Sequence, residues 1–114
     1  MPAQEAQADP HFEHLAADLE QHDFERGCLF GDFGAELSNQ SEPLRAHVEA
    51  ALASWTAAVT ELLAQAPTGS PLAPDLLGPL LVDAWEGAVP RAKVTRSRTP
   101  LDGFFTALDT LLPA

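Results

Sequence analysis

The sequence contains few basic residues. Its 114 residues include 6 Lys and Arg against 17 Asp and Glu, which gives a formal net charge of −11. Proteins bind nucleic acids largely by neutralising backbone phosphates with Lys and Arg, so phosphate backbones repel a chain this acidic. We therefore expect no direct contact between this chain and DNA or RNA.

Cysteine and long apolar runs are also scarce. The single cysteine, Cys28, cannot form an intrachain disulfide, and its apolar neighbours favour a buried thiol over a catalytic nucleophile. No stretch approaches the roughly 20 apolar residues that a membrane span requires, and no basic-then-apolar leader opens the sequence. We expect a cytoplasmic protein that has no membrane contact.

Common catalytic signatures are missing, including GxSxG, HExxH and a cysteine beside a base. Metal-ligand residue types group near the N-terminus, where His11, His14 and His22 lie among acidic residues. There Asp18 shares a helix face with His14 and with His22. Such HxxxD spacings are common on solvated helices. We therefore predict that the protein is not an enzyme and that it holds neither a metal ion nor a cofactor.

Apolar residues at helical spacing are abundant. They recur every three or four positions in five segments, and no segment alternates with a period of two, which predicts an all-α bundle of about five helices. A chain of this length is typical of one domain. We assign that domain to residues 9–114 and interpret residues 1–8 as a frayed terminus or a fragment boundary. The five segments begin at Asp9, Arg26, Ser41, Asp75 and Thr99.

Prolines and capping residues indicate where some of these helices start and stop. Asp9 with Pro10, and Thr99 with Pro100, each combine a capping side chain with a first-turn proline. Pro90 instead falls inside the fourth segment, where a proline removes one backbone hydrogen bond. We therefore predict that Pro90 kinks or ends the fourth helix.

Four of the six basic residues form a cluster near the end of the fourth segment. Such a cluster either binds an anion or marks the C-terminus of a helix, where cations offset the negative end of the helix macrodipole. We favour the helix end, because the cluster closes a helical pattern. Its members are Arg91, Lys93, Arg96 and Arg98.

Aromatic residues from three predicted helices are the candidates for a binding pocket. Small-molecule sites are concave and are lined by aromatic side chains with a few polar groups. The alternative is that the same side chains form ordinary core, since aromatics dominate core burial in any case. The candidate pocket residues are Phe30, Phe33, Trp55 and Trp85, with Val59 from the same segment as Trp55.

Two blocks of the sequence resemble the C-terminal regulatory domain of TetR/AcrR-type transcriptional regulators. The first, residues 26–43, reads RGCLFGDFGAELSNQSEP and contains a GCL motif, an AEL-like stretch and a short turn with Ser and Pro. The second, residues 83–101, reads DAWEGAVPRAKVTRSRTPL and contains an EGA and AKV helix, a basic loop and a final helix that starts with PL. The order and spacing of the blocks agree with those regulators, and the resemblance extends from about Phe12 to Leu112.

The resemblance implies an all-helical domain that binds a small effector within the bundle. It also implies that the domain dimerises through its last two helices, residues 75–93 and 100–112. The fourth segment agrees with this, because its apolar stripe is too wide for one neighbouring helix to cover. The residues implied to face the partner are Leu81, Trp85, Gly87, Ala88, Phe104 and Leu108.

Regulators of this type also carry a basic helix-turn-helix near the N-terminus, which places a recognition helix in the major groove. No such segment is present in these 114 residues. We therefore expect a regulatory domain that binds a small molecule and forms a homodimer, without a DNA-binding head in this chain. The alternative is a stand-alone dimeric ligand-binding or scaffold protein that has no role in transcription.

Overall fold

A computed structural model describes residues 3–24 and 42–113, with side chains from residue 10 onward. These residues form four α-helices with no strand among them, which confirms the predicted all-helical fold. The predicted second segment, which begins at Arg26 and includes Cys28, Phe30 and Phe33, lies outside the described residues. The helices are α1 (Ala3–Gln21), α2 (Glu42–Ala64), α3 (Pro74–Thr95) and α4 (Thr99–Leu111).

Two prolines that were expected to mark helix boundaries lie inside helices instead. Helix α1 begins at Ala3 and passes through Pro10, so the predicted start at Asp9 is wrong. Helix α3 passes through Pro90 and ends at Thr95, so Pro90 does not end it. Buried side chains close to each proline explain this, because tertiary packing offsets the one backbone hydrogen bond that a proline removes.

Helix α3 is the central element of the bundle. It packs against α2 on one side and against α4 on the other, and α1 packs against α2. This confirms the inference from the wide apolar stripe that the fourth segment is covered by more than one neighbour. Eight residues of α3 are buried, and they are Leu77, Gly78, Leu81, Val82, Trp85, Ala88, Val89 and Ala92.

A glycine sets the distance between α2 and α3. A Cβ atom added at Gly78 would overlap the hydroxyl oxygen of Thr60 and lie 3.0 Å from the Thr60 Cα. The Thr60 hydroxyl donates a hydrogen bond of 2.8 Å to the carbonyl oxygen of Thr56, one turn earlier in α2. The two helix backbones therefore approach each other more closely at Gly78 than any side chain would allow.

Two residues of the basic cluster hold the end of α1 against the turn between α3 and α4. The Arg98 guanidinium contacts three carboxylates, those of Asp102 at 2.8 Å, Glu20 at 3.4 Å and Glu13 at 3.5 Å. Arg96 adopts a left-handed conformation with φ 50° and donates a hydrogen bond to the carbonyl oxygen of a residue just beyond α1. This part of the cluster therefore joins helices that are distant in sequence.

The cluster's other two members lie on α3 itself. Lys93 is in the last turn of the helix, as the macrodipole interpretation predicts, and Arg91 is exposed one turn from the end. None of the described helices is long and apolar enough to cross a membrane. Within residues 10–24 and 42–113, no three His, Cys, Asp or Glu side chains are grouped so as to hold a metal ion.

Candidate functional site

Five aromatic rings from all four helices meet in the interior and form what we call the aromatic cluster. Phe12 of α1 is at its centre, with ring centroids 4.9 Å from Phe104, 5.3 Å from Trp85 and 6.3 Å from Trp55. Trp85 and Phe104 also contact each other at 5.2 Å in an edge-to-face arrangement, and Phe105 lies at the margin of the cluster. Offset and edge-to-face contacts of this kind stabilise aromatic pairs beyond the burial of their area.

A polar pair lies at the edge of the aromatic cluster. The indole nitrogen of Trp55 donates a hydrogen bond of 2.9 Å to Nε2 of His11. An indole N–H can only donate, so Nε2 is unprotonated and the neutral imidazole carries its proton on Nδ1. Burial lowers the pKa of His11, and the charge of nearby His14 lowers it further. At neutral pH, His11 therefore accepts a hydrogen bond and presents an N–H donor at its other ring nitrogen.

Acidification is expected to destabilise the protein through His11. Its pKa is lower in the folded state than in the unfolded state, so the unfolded chain binds the proton more readily. The contribution of neutral His11 is complete above the unfolded pKa of about 6.5 and is lost as the pH falls below it. We expect the urea midpoint of the wild type to fall more between about pH 7.5 and about pH 5.5 than that of His11→Gln.

The matched control for this titration is His47→Gln, because His47 is exposed on α2. This variant should keep the pH dependence of the wild type. Equal pH dependence in His11→Gln and the wild type would contradict the prediction that protonation of the His11 imidazole lowers the stability of the protein.

Two of the described pocket candidates, Trp55 and Trp85, belong to the aromatic cluster. Trp55 is half-buried, whereas Val59 and Trp85 are buried and belong to the same hydrophobic core. Trp55 and Trp85 both contact Phe12, a residue that sequence reasoning did not include among the candidates. Its position in the apolar stripe of α1 indicates burial, but periodicity does not show which helices the buried stripe meets.

A second feature is an open apolar groove between α3 and α4, which we call the α3–α4 face. The groove has a volume of about 600 Å³ and lies on the outer side of these two helices. Apart from Arg91 and Thr99, the residues that line it are apolar or are glycines. It is lined by Leu80, Leu81, Ala84, Gly87, Ala88 and Arg91 from α3, and by Thr99, Pro100, Gly103, Phe104, Ala107, Leu108 and Leu111 from α4.

Five of the six residues implied to face a partner line this groove. Leu81, Ala88, Phe104 and Leu108 are buried at its floor, and Gly87 is exposed. Trp85 is the exception. It is 2% exposed and packs inward against Phe12 and Phe104. Trp85 therefore belongs to the aromatic cluster and does not line the groove.

Two glycines expose helix backbone on the α3–α4 face. A Cβ atom added at Gly87 or at Gly103 would meet nothing within 4 Å. A glycine inside a helix costs about 1 kcal/mol relative to alanine, and no contact with a described residue requires glycine at either position. With exposed Ala84 and Ala107 beside them, these glycines make the face shallow enough for another helix to approach the backbone closely.

Comparison with known proteins places these features in a family. Residues 2–106 match the family model for the C-terminal domain of LmrA/YxaF-like transcriptional regulators, a TetR-type domain. The chain is 38% identical over 106 residues to the HTH-type transcriptional repressor DhaR of Mycobacterium sp. strain GP1, covering 89% of this chain and 53% of that protein. It is 32% identical over 90 residues to the transcriptional regulator AcuR of Cereibacter sphaeroides, covering 75% of this chain and 41% of that protein.

A solved structure has the same arrangement of helices. The crystal structure of a regulatory protein TetR from Rhodobacter sphaeroides aligns with a TM-score of 0.85 and 27% identity, covering 94% of this chain and 59% of that one. The chain therefore spans about half the length of the curated relatives that it matches.

Proposed function

Because the chain belongs to the family of C-terminal domains of LmrA/YxaF-like, TetR-type transcriptional regulators, we propose that it is the part of a regulator that binds a small effector and forms a homodimer. In this mechanism, effector binding favours one arrangement of the helices. The change is passed to DNA-reading heads outside these 114 residues, whose spacing decides whether they fit the operator. Such a regulator works in the cytoplasm and is not an enzyme.

The α3–α4 face supports the homodimer. It is an apolar groove on the surface, and its exposed glycines have no packing role among the described residues. Exposed apolar surface is costly in water, and contiguous patches of it mark interaction sites. A second copy that covers this face would bury the groove. Its helices could then approach the backbone at Gly87 and Gly103, which would explain why these positions have no side chain.

The aromatic cluster supports the effector site. It combines apolar rings with the hydrogen-bonded pair of Trp55 and His11 at a half-buried edge. Sites for small organic molecules combine an aromatic lining with a few oriented polar groups in this way. Among the described residues, the proposed pocket comprises this edge together with Val59 and Trp85, whereas the sequence candidates Phe30 and Phe33 lie outside the described residues.

One sample tests both parts of the proposal. Light scattering at tens of micromolar should give twice the chain mass of 12.2 kDa. Both tryptophans belong to the aromatic cluster, so their fluorescence should shift or be quenched when an apolar small molecule binds there. A library of uncharged aromatic and aliphatic compounds is the appropriate probe.

Light scattering and tryptophan fluorescence test the two parts of the proposal independently of each other. A mass of one chain at tens of micromolar would contradict the homodimer. A dimer whose tryptophan fluorescence is unchanged by every compound would contradict the effector site and would favour a scaffold that only dimerises.

A further inference from the structure

Helix α3 carries an exposed stripe that is arranged symmetrically about Gly87. Asp83 and Arg91 lie four residues before and after this glycine, and Leu80 and Val94 lie seven residues before and after it. Each residue turns the helix by about 100°, so a residue four positions from Gly87 lies about 40° around the helix axis from it. A residue seven positions away lies about 20° from it. The five residues therefore share one face of α3.

The two apolar members of this stripe are unusually exposed. Leu80 is 42% exposed and Val94 is 83% exposed, and they are two of the three large hydrophobic side chains that stand out in this way among the described residues. Leu80 lines the α3–α4 face, and Val94 lies two turns beyond Gly87 on the same side of the helix. Both ends of the stripe therefore present apolar surface to whatever covers it.

The two charged members have no ionic partner in the described parts of the chain. Neither the Arg91 guanidinium nor the Asp83 carboxylate forms a salt bridge with any residue in 10–24 or 42–113. They cannot pair with each other, because eight residues along a helix span about 12 Å. Each is exposed on the stripe. The stripe is therefore complementary in charge to a reversed copy of itself.

We propose that α3 pairs with α3 of a second copy in an antiparallel arrangement that crosses at Gly87. Asp83 then faces Arg91 of the partner subunit, and Leu80 faces Val94 of the partner subunit. This rests on the proposed homodimer and specifies its register. Two-fold symmetry forms each contact twice, since in such an interface residue i meets j and j meets i.

Three features of the stripe select this register. The missing side chain at Gly87 allows the two helix backbones to approach at the crossing point. A parallel pairing would place Asp83 opposite Asp83 and Arg91 opposite Arg91, and like charges in an interface are unfavourable. The chain carries a net charge of −11, so two copies repel each other, and the two symmetric ion pairs oppose that repulsion locally.

Charge reversal tests the register. Arg91→Asp makes both positions acidic and Asp83→Arg makes both basic, so each variant alone should dissociate at least about tenfold more readily than the wild type. When the two variants are mixed, both ion pairs form again, and native mass spectrometry should detect mainly the heterodimer. The double variant Asp83→Arg with Arg91→Asp should recover homodimerisation.

Glu61→Arg is the matched control, because Glu61 is exposed on α2 and lies off the stripe. It should dimerise like the wild type, and circular dichroism should show the same helix content in every variant. Single variants that dimerise as well as the wild type, or a mixture that forms no excess of heterodimer, would overturn the register while leaving the homodimer intact. A monomeric wild type would instead contradict the proposed function itself.

Discussion

Replacing Phe12 by alanine is expected to lower the free energy of unfolding by about 3–5 kcal/mol. The ring is 0% exposed and contacts Trp55, Trp85 and Phe104, so its removal takes away the centre of the aromatic cluster. Small domains are stable by only about 5–15 kcal/mol in total. The variant should therefore unfold at a much lower urea concentration, and its near-ultraviolet circular dichroism should lose the signal of the packed tryptophans.

Phe105→Ala is the control for this large effect. Phe105 is half-buried at the margin of the cluster, where the Arg98 guanidinium lies 5.5 Å from its ring centroid. Because this ring is only partly buried, its removal leaves a smaller cavity and should cost clearly less than the removal of Phe12. An equal loss of stability in the two variants would contradict the central position of Phe12.

Replacing Gly78 by alanine is expected to cost about 2–3 kcal/mol, although alanine favours helices over glycine. The new methyl group would overlap the Thr60 hydroxyl and press on the Thr60 Cα, which is backbone and cannot rotate away. Helices α2 and α3 must then separate, which loosens the core between them. Urea unfolding of the variant measures the cost.

Two further variants make the Gly78 prediction specific. Thr60→Ala should rescue the Gly78→Ala variant only in part, because it removes the hydroxyl but not the backbone contact. Gly103→Ala introduces the same change where the Cβ meets open space. Measured at concentrations where the chain is monomeric, this control should gain up to about 1 kcal/mol from helix propensity. A stability gain at Gly78 as well would refute the close approach of α2 and α3.

The positions of helices follow closely from the sequence where the apolar pattern is strong. The fourth segment, predicted to start at Asp75, is helix α3 from Pro74, and the fifth, predicted to start at Thr99, is helix α4 from that residue. The prediction that Thr99 caps α4 is wrong, because Arg98 occupies the N-cap position. The prolines were less informative. Pro10 and Pro90 fit a helix boundary as well as an interior site, and burial of neighbouring residues decides between the two.

The candidate sites were predicted less completely than the helices. Sequence resemblance implied that Gly87, Ala88 and Leu108 lie on one face, and the structure places them in one groove. The resemblance placed Trp85 with these interface residues, because Trp85 lies on the same apolar helix. The structure shows that the Trp85 side chain packs inward against Phe12 instead.

Helix content, the apolar faces and the acidic surface follow from the sequence, because they depend on residue type and on spacings of three and four positions. The partners of those faces depend on tertiary structure. Arg98 contacts Glu13 and Trp55 contacts His11 across 85 and 44 positions of the chain. No local pattern encodes such pairings, because they arise only when the buried faces of several helices pack together and bring distant polar groups into contact.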